Sequence, residues 1–262
     1  MILIVVILAI LQGITEFLPI SSSAHLFLLP WAVNVPAPGL AFDAAIHIGT
    51  ALALVAFFWK DFYALAKKRD KLLLYILIAS VPAALAGFMG DQFIDKYFHQ
   101  SSSAPLIIGI GLIFYGIVMY AIDRSAKLSK DMSHIGPKNA LIIGFTQVLA
   151  LVPGTSRSGI TISAGELLGL NRESAARFSF LLATPISLGA GLYKLNQIVT
   201  APQGNVSIAL TILGIVIAFG VGLAVINWLL DYLKKHSLLA FVLYRFVLGF
   251  SVIAIWLIKE MK

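Results

Sequence analysis

The sequence has no cysteine, which excludes disulfides and thiolate metal sites. It is also poor in charge. Asp, Glu, Lys and Arg supply 12% of its 262 residues, about half the share of an ordinary soluble domain. Apolar residues fill the gap at 60%, in several runs that reach the roughly 20 residues a helix needs to cross a hydrocarbon core. The formal net charge of +7 does not point to nucleic acid. Its Lys and Arg sit in short loops between apolar runs, and no basic patch is interleaved with aromatics for stacking. The N-terminus is apolar from Ile2 onward, without a basic leader or a small-residue cleavage site, and reads as part of the mature fold.

Six stretches read as full spans: roughly 41–59, 72–89, 105–122, 175–195, 207–230 and 238–258. Two others are broken. Residues 2–33 are interrupted by Thr15-Glu16-Phe17-Leu18-Pro19-Ile20-Ser21-Ser22-Ser23, and residues 139–168 by Pro153-Gly154-Thr155-Ser156-Arg157-Ser158. A polar break at membrane depth exposes backbone groups that lipid cannot satisfy, so it must be buried in protein or line a wet cavity. Each broken stretch is therefore expected to be a re-entrant hairpin; a pair of kinked spanning helices is the alternative. With both breaks re-entrant, one face collects Lys60, Lys67, Lys68, Arg69 and Lys71, then Arg124, Lys127, Lys130 and Lys138, then Arg172 and Arg177, then Lys234 and Lys235. The opposite face has only Lys96, Lys194, Lys259 and Lys262, with Arg157 and Arg245 left inside the membrane. That asymmetry makes the first face cytoplasmic and places both termini outside.

The two breaks are related. Gly13-Ile14-Thr15-Glu16-Phe17-Leu18 matches Gly144-Phe145-Thr146-Gln147-Val148-Leu149, and in both copies a proline and serines follow. Three spans lie between the hairpins, and an odd number inverts the second relative to the first. The expected fold is thus an all-α polytopic membrane protein of one integral domain. It has six spanning helices plus two re-entrant helical hairpins in an inverted-topology repeat, repeat 1 over 1–122 and repeat 2 over 139–262, with polar tips meeting near mid-membrane.

Ionisable groups inside a membrane are expensive, so each is a functional candidate. Here they are Glu16, His25, Asp43, His47, Arg157, Glu166 and Arg245. Gln12 and Glu16, four apart, share a helix face and offer oxygens to a hard divalent cation; Glu16 could equally orient a base or pair with Arg157. Ser22 and His25, three apart, have the types and spacing of a nucleophile and its base, although serines also simply cap helices. In the second break, glycines flank Ser156-Arg157-Ser158 and the segment opens a helix. Backbone N–H groups, the Arg157 fork and the hydroxyls of Ser156, Ser158 and Thr161 suit an oxyanion. Asp43 and His47 face either a wet cavity or one another, Glu166 reads as interfacial, and Arg245 needs a carboxylate or a substrate as partner.

Gln12 through His25 and Pro153 through Thr161 resemble the two signatures of the undecaprenyl-diphosphate phosphatase, or bacitracin-resistance protein, family. Length, span order and Tyr244-Arg245-Phe246 agree, so the resemblance covers essentially the whole chain. It implies removal of the terminal phosphate of undecaprenyl diphosphate, regenerating the lipid carrier of cell-wall synthesis, with a divalent cation (Mg2+ or Ca2+). The implied setting is the bacterial cytoplasmic membrane, the site opening on its outer face. By position, Gln12 and Glu16 fall on the acid-rich, metal-associated pair, and Ser22 and His25 on the nucleophile and base region. Ser156, Arg157 and Thr161 fall on the phosphate-binding segment; Ser23, Gly154, Ser158 and Arg245 are further candidates for contact with substrate. Gln12 is the amide where the family has Glu or Gln, so one ligand charge is missing, and Ser23 stands where Thr is common. The expected partners are the lipid diphosphate and the bilayer, without nucleic acid; a homodimer is left open. A polyprenyl-phosphate transporter or flippase is the rival that the same inverted-repeat architecture would serve.

Overall fold

The computed structural model describes residues 1–94, 101–200 and 206–261. Among these, six helices are long and apolar enough to cross a membrane: α3 (Leu40–Lys67), α4 (Lys71–Ile94), α5 (Ala104–Ser125), α8 (Arg172–Thr200), α9 (Ile208–Leu233) and α10 (Leu239–Glu260). The protein is therefore an all-α, multi-pass membrane protein. Most of these helices outrun the apolar stretches that predict them, because polar end turns add nothing to hydropathy but continue the backbone ladder. α3, for example, runs on through Lys60, Asp61 and Tyr63.

The two broken stretches form four short helices, α1 (Ile2–Thr15) with α2 (Ser22–Val33), and α6 (Pro137–Thr146) with α7 (Arg157–Leu167). The longest has 14 residues, about 21 Å at 1.5 Å per residue, well short of the roughly 30 Å hydrocarbon layer.

Ion pairs and loop contacts sort the helix ends onto two faces. On one, Arg177 pairs with Asp61, Arg172 Nε reaches Asp123 at 2.5 Å, and Lys234 lies 3.8 Å from Glu173. Lys130 Nζ donates to Leu168 O at 2.9 Å there, so the loop entering α6 touches the loop leaving α7. On the other face, Lys259 Nζ donates to Trp31 O at 2.8 Å and Trp256 Nε1 to Ser102 O at 3.1 Å. The predicted basic loops thus share one end of the molecule. Lys96 and Lys262, assigned to the other end, lie outside the described residues, as does the Lys194 side chain.

The helices pair across the two halves in mirrored fashion. α1 packs on α9 as α6 packs on α4; α3 packs on α9 as α8 packs on α4; α3 meets α8 and α5 meets α10. The repeated glycine explains one of these pairs of contacts. A Cβ at Gly13 would lie 2.7 Å from Val221 Cβ on α9, and one at Gly144 would lie 2.1 Å from Ala79 O on α4. Glycine is there because the neighbouring helix fills the space of a Cβ, with the Val221 side chain at Gly13 and the Ala79 backbone at Gly144. Gly144→Ala is accordingly expected to lower the melting temperature by several degrees. Gly189→Ala, where nothing lies within 4 Å, should be neutral or stabilising, as Ala normally is in a helix; thermal unfolding of both in detergent checks the contrast.

Candidate active site

The repeat has a backbone counterpart at the tips. Ser21 has φ 75° and ψ 97°, Ser156 has φ 74° and ψ 115°, and each is the N-cap of the next helix, α2 or α7. Positive φ on a non-glycine residue carries strain on the order of 1–3 kcal/mol and persists only where the surroundings impose it. Each turn opens a helix at its N-terminus. The two tips meet: Ser158 Oγ donates to Leu18 O at 3.0 Å, and Arg157 Nη2 donates to Glu16 Oε1 at 2.7 Å.

Glu16 is the hub. As C-cap of α1 it is only 12% exposed. Its Oε2 accepts from Ser22 Oγ at 2.7 Å and from Gln12 Nε2 at 3.0 Å, and lies 3.7 Å from His47 Nε2 on α3. Gln12 Nε2 also reaches Thr50 Oγ1 at 3.4 Å. Two buried polar atoms of this cluster have no hydrogen-bond partner, Arg157 Nη1 and Gln12 Oε1. A guanidinium with one fork nitrogen free of protein partners, beside a serine hydroxyl and a helix N-terminus, has the kind of donors that suit an oxyanion.

Ser22 and His25 are not partners. Ser22 is the first residue of α2, and its side chain turns back to Glu16. The His25 ring is buried, with Nδ1 2.7 Å from Ser21 O and Nε2 2.7 Å from Tyr244 OH. The carbonyl can only accept, so Nδ1 donates, and Nε2 accepts from the tyrosine. His25 thereby braces the strained Ser21 turn, and the group in contact with the Ser22 hydroxyl is Glu16. Spacing in sequence suggested the first pairing; the helix start, which frees Ser22 to fold back, decided the second.

Other candidates also take structural positions. Arg245 is fully buried and donates to three backbone carbonyls, Leu112 O at 3.2 Å, Pro19 O at 3.2 Å and Gly154 O at 2.6 Å. It ties both tips to α5 instead of standing open to a ligand. Gly154 has φ 85°, and a Cβ there would lie 2.7 Å from Ile108 O, so it seats the second tip on α5. Gly159 N–H caps onto Ser156 Oγ at 3.2 Å. Ser156 Oγ also contacts Ser158 Oγ at 3.1 Å. Thr161, fully buried, bonds Arg157 O at 2.8 Å and Ser179 Oγ at 2.6 Å, fixing the first turn of α7 against α8. Ser23 is exposed near the site, its Oγ 3.3 Å from Ser21 Oγ. Glu166 is fully buried inside the protein, and neither of its carboxylate oxygens has a hydrogen-bond partner. Tyr244 was not singled out from sequence for His25; a ring 219 residues away leaves no local pattern.

Two strained serine turns thus bring a part-buried carboxylate, hydroxyl and guanidinium together in one multi-pass membrane protein, a set of groups that suits a phosphate-like anion. The comparisons place the chain more narrowly. A family model described as bacitracin resistance protein BacA matches residues 5–251, and the chain belongs to that family. Relatives named undecaprenyl-diphosphatase include one from Pelotomaculum thermopropionicum, 44% identical over 95% of this chain and 94% of its own. Others are from Moorella thermoacetica, 40% identical over 97% and 98%, and from Pelobacter propionicus, 43% identical over 95% of both.

Proposed function

We propose that the chain hydrolyses the terminal phosphate of undecaprenyl diphosphate, giving undecaprenyl phosphate and inorganic phosphate. The observation that carries this reading is the Ser22–Glu16–Arg157 chain of short hydrogen bonds, which places a hydroxyl, its proton acceptor and an anion-binding fork together. The diphosphate head enters between the tips while the prenyl tail stays among apolar helices. Ser22 Oγ attacks the terminal phosphorus as its proton passes to Glu16. The bond from phosphorus to the bridging oxygen breaks, and the lipid monophosphate leaves with the proton that Glu16 passes to it, so that Glu16 is again a carboxylate. Water then opens the phosphoserine with Glu16 as base, releasing phosphate and restoring the hydroxyl. Arg157 Nη1 and the N–H groups opening α2 meet the charge that spreads over the transferring oxygens, the main source of rate in phosphoryl transfer.

Gln12 turns its Nε2 to Glu16 Oε2 at 3.0 Å and keeps a buried Oε1 without a partner, so a divalent cation beside Glu16 would need the amide turned about to offer that oxygen. Glu16 and Gln12 would hold the ion, which would add positive charge next to the phosphate. The hairpins re-enter from opposite faces, the basic loops are cytoplasmic, and both termini and the site open lie on the outer side of the bacterial inner membrane. Their support is the clustering of the basic loops at one end and the shortness of the four tip helices.

Ser22→Ala is expected to reduce phosphate release from the purified protein in detergent by about 10³-fold, as for loss of a nucleophile acting with its base. Acid quench with labelled substrate should trap phosphoserine in the wild type and none in the variant. Full turnover by the variant would remove the serine step.

A further inference from the structure

Glu166 is a buried carboxylate that the reaction above leaves without a task. It lies on the last turn of α7, outside the six spans. With neither oxygen bonded, it is costly to keep there as an anion. Gly159, Ser163 and Glu166 recur at intervals of four and three, so they share one face of α7. A Cβ at Gly159 would lie 3.2 Å from Met119 Sδ, which turns that face to α5. Asp123, buried, follows Met119 by one turn and is bound by Arg172 from the start of α8. Ser163 Oγ, fully buried, also lacks a partner. The seam between α7 and α5 thus carries unmet polar atoms from Glu166 back toward the Ser156–Ser158 turn. At its Glu166 end it feels the charges of Asp123 and Arg172. Those two residues line a cavity of about 480 Å3 at the end of the molecule that holds the basic loops.

Two carboxylates and one guanidinium share this corner, so a single bound proton makes it neutral. The other titratable groups on elements packed against α7 are engaged elsewhere or exposed. On α5, Tyr115 stands two turns back, and Tyr120 and Arg124 are exposed. Near this end of α8, Glu173 faces Lys234 and Arg177 pairs with Asp61. α6 brings Lys138, exposed, and the short turn Gln147–Leu151 brings none. Lys130 is bound to Leu168 O. Burial pushes the Glu166 carboxyl up to about 8, with Asp123 adding to the rise and Arg172 opposing it. We propose that Glu166 is a proton-binding switch that sets the position of α7. With its proton, α7 stays packed on α5, Asp123 keeps Arg172, and Arg157 at the far end of the same 11-residue helix is held to Glu16. Without it, the new carboxylate repels Asp123 and competes for Arg172, water from the cavity enters the seam, and α7 loosens as a unit. Phosphate release then falls as the pH at the basic-loop end rises, which makes Glu166 a positioning residue.

The effect on phosphate release rests on the hydrolase reading; the switch itself is tested without turnover. The purified full chain in detergent is titrated through the neutral and alkaline range. Two signals are followed: the infrared carbonyl band that a protonated carboxylic acid has and a carboxylate lacks, and hydrogen exchange of the α7 amides. The wild type is expected to lose a band as the pH rises, and Glu166→Gln to lack that band throughout. At about pH 9, one unit above the titration, roughly one-tenth of the wild type keeps the proton. There its α7 amides should exchange faster than those of Glu166→Gln, and its phosphate release should be about tenfold slower than the variant's. Near pH 6, roughly two units below the titration, the two proteins should agree in both. Melting temperature reports folding. The unfolded chain sheds this proton near 4.5 and the folded chain near 8, so wild-type stability falls as pH rises across that window and Glu166→Gln gains on it. Asp123→Asn, which removes the neighbouring charge and frees Arg172, should move the loss of the band and the fall in activity to lower pH. A band that survives in Glu166→Gln, or α7 exchange with the same pH dependence in the wild type and both variants, would overturn the proposal. Absence of phosphate release at every pH sinks the hydrolase reading, and the band and the exchange still decide this one.

Discussion

Arg157→Ala lowers phosphate release by about 10³-fold or more, the range seen when a transition-state arginine is removed in phosphoryl transfer, while the protein still folds. The expectation follows from how the side chain is used. One fork nitrogen is bound to Glu16 and the other, buried, has no partner, so the guanidinium is half committed to orienting the base and half reserved for the substrate. Loss of the fork leaves Glu16 with its bonds from Ser22 and Gln12, which is why the fold should survive. Arg157→Lys keeps a charge but offers a point donor, which cannot serve both partners, and should recover only a small part of the loss. Glu16→Gln should be nearly as damaging, and the double variant little worse than either, because groups that act as one unit are not additive. Single-turnover phosphate release in detergent, with thermal unfolding beside it, checks all four variants. Wild-type rates in Arg157→Ala would remove the anion-binding fork from the mechanism.

Arg245→Met has the larger effect on the fold itself. Its side chain donates to three buried carbonyls, two of them, Pro19 O and Gly154 O, outside any helix, and each orphaned acceptor costs about 1–3 kcal/mol. The expected loss is therefore several kcal/mol, a large share of the whole stability of a domain this size. Arg245→Met should express poorly or unfold at a melting temperature lower by ten degrees or more. Arg245→Lys, with one ammonium for three divergent carbonyls, should fall between. Activity in whatever fraction folds separates this from a substrate contact. If Arg245 bound the diphosphate, the variants would keep their melting temperature and lose affinity.

The spans were legible in the sequence because hydropathy at that length has few other meanings. The breaks were legible too, since Pro19 and Pro153 stand with serines where lipid tolerates no free backbone. The meeting of Glu16 with Arg157 could be anticipated from an inverted repeat that aims both tips at one point. Partner choice within the site was harder. Ser22 and His25 are three apart, but a residue at the very start of a helix is not bound to that helix's faces, and the histidine's partner comes from α10. Arg245 was assigned a ligand because a buried cation in a membrane usually has an anion. Here the dipoles of three carbonyls replace it, and no sequence pattern announces which backbone atoms will converge. Thr161 likewise belongs to helix packing through Ser179, a neighbour 18 residues on.

The bolt that joins the two tips arrives with the last helix. Ribosomes deliver a chain from its beginning, so both serine turns and every member of the Glu16 cluster are made before residue 245 emerges. Until α10 inserts, Pro19 O and Gly154 O lack their shared donor, and only the Ser158–Leu18 and Arg157–Glu16 bonds join the tips. Arg245 is therefore a late clamp on tips already bonded to each other, added when the last helix packs against α5.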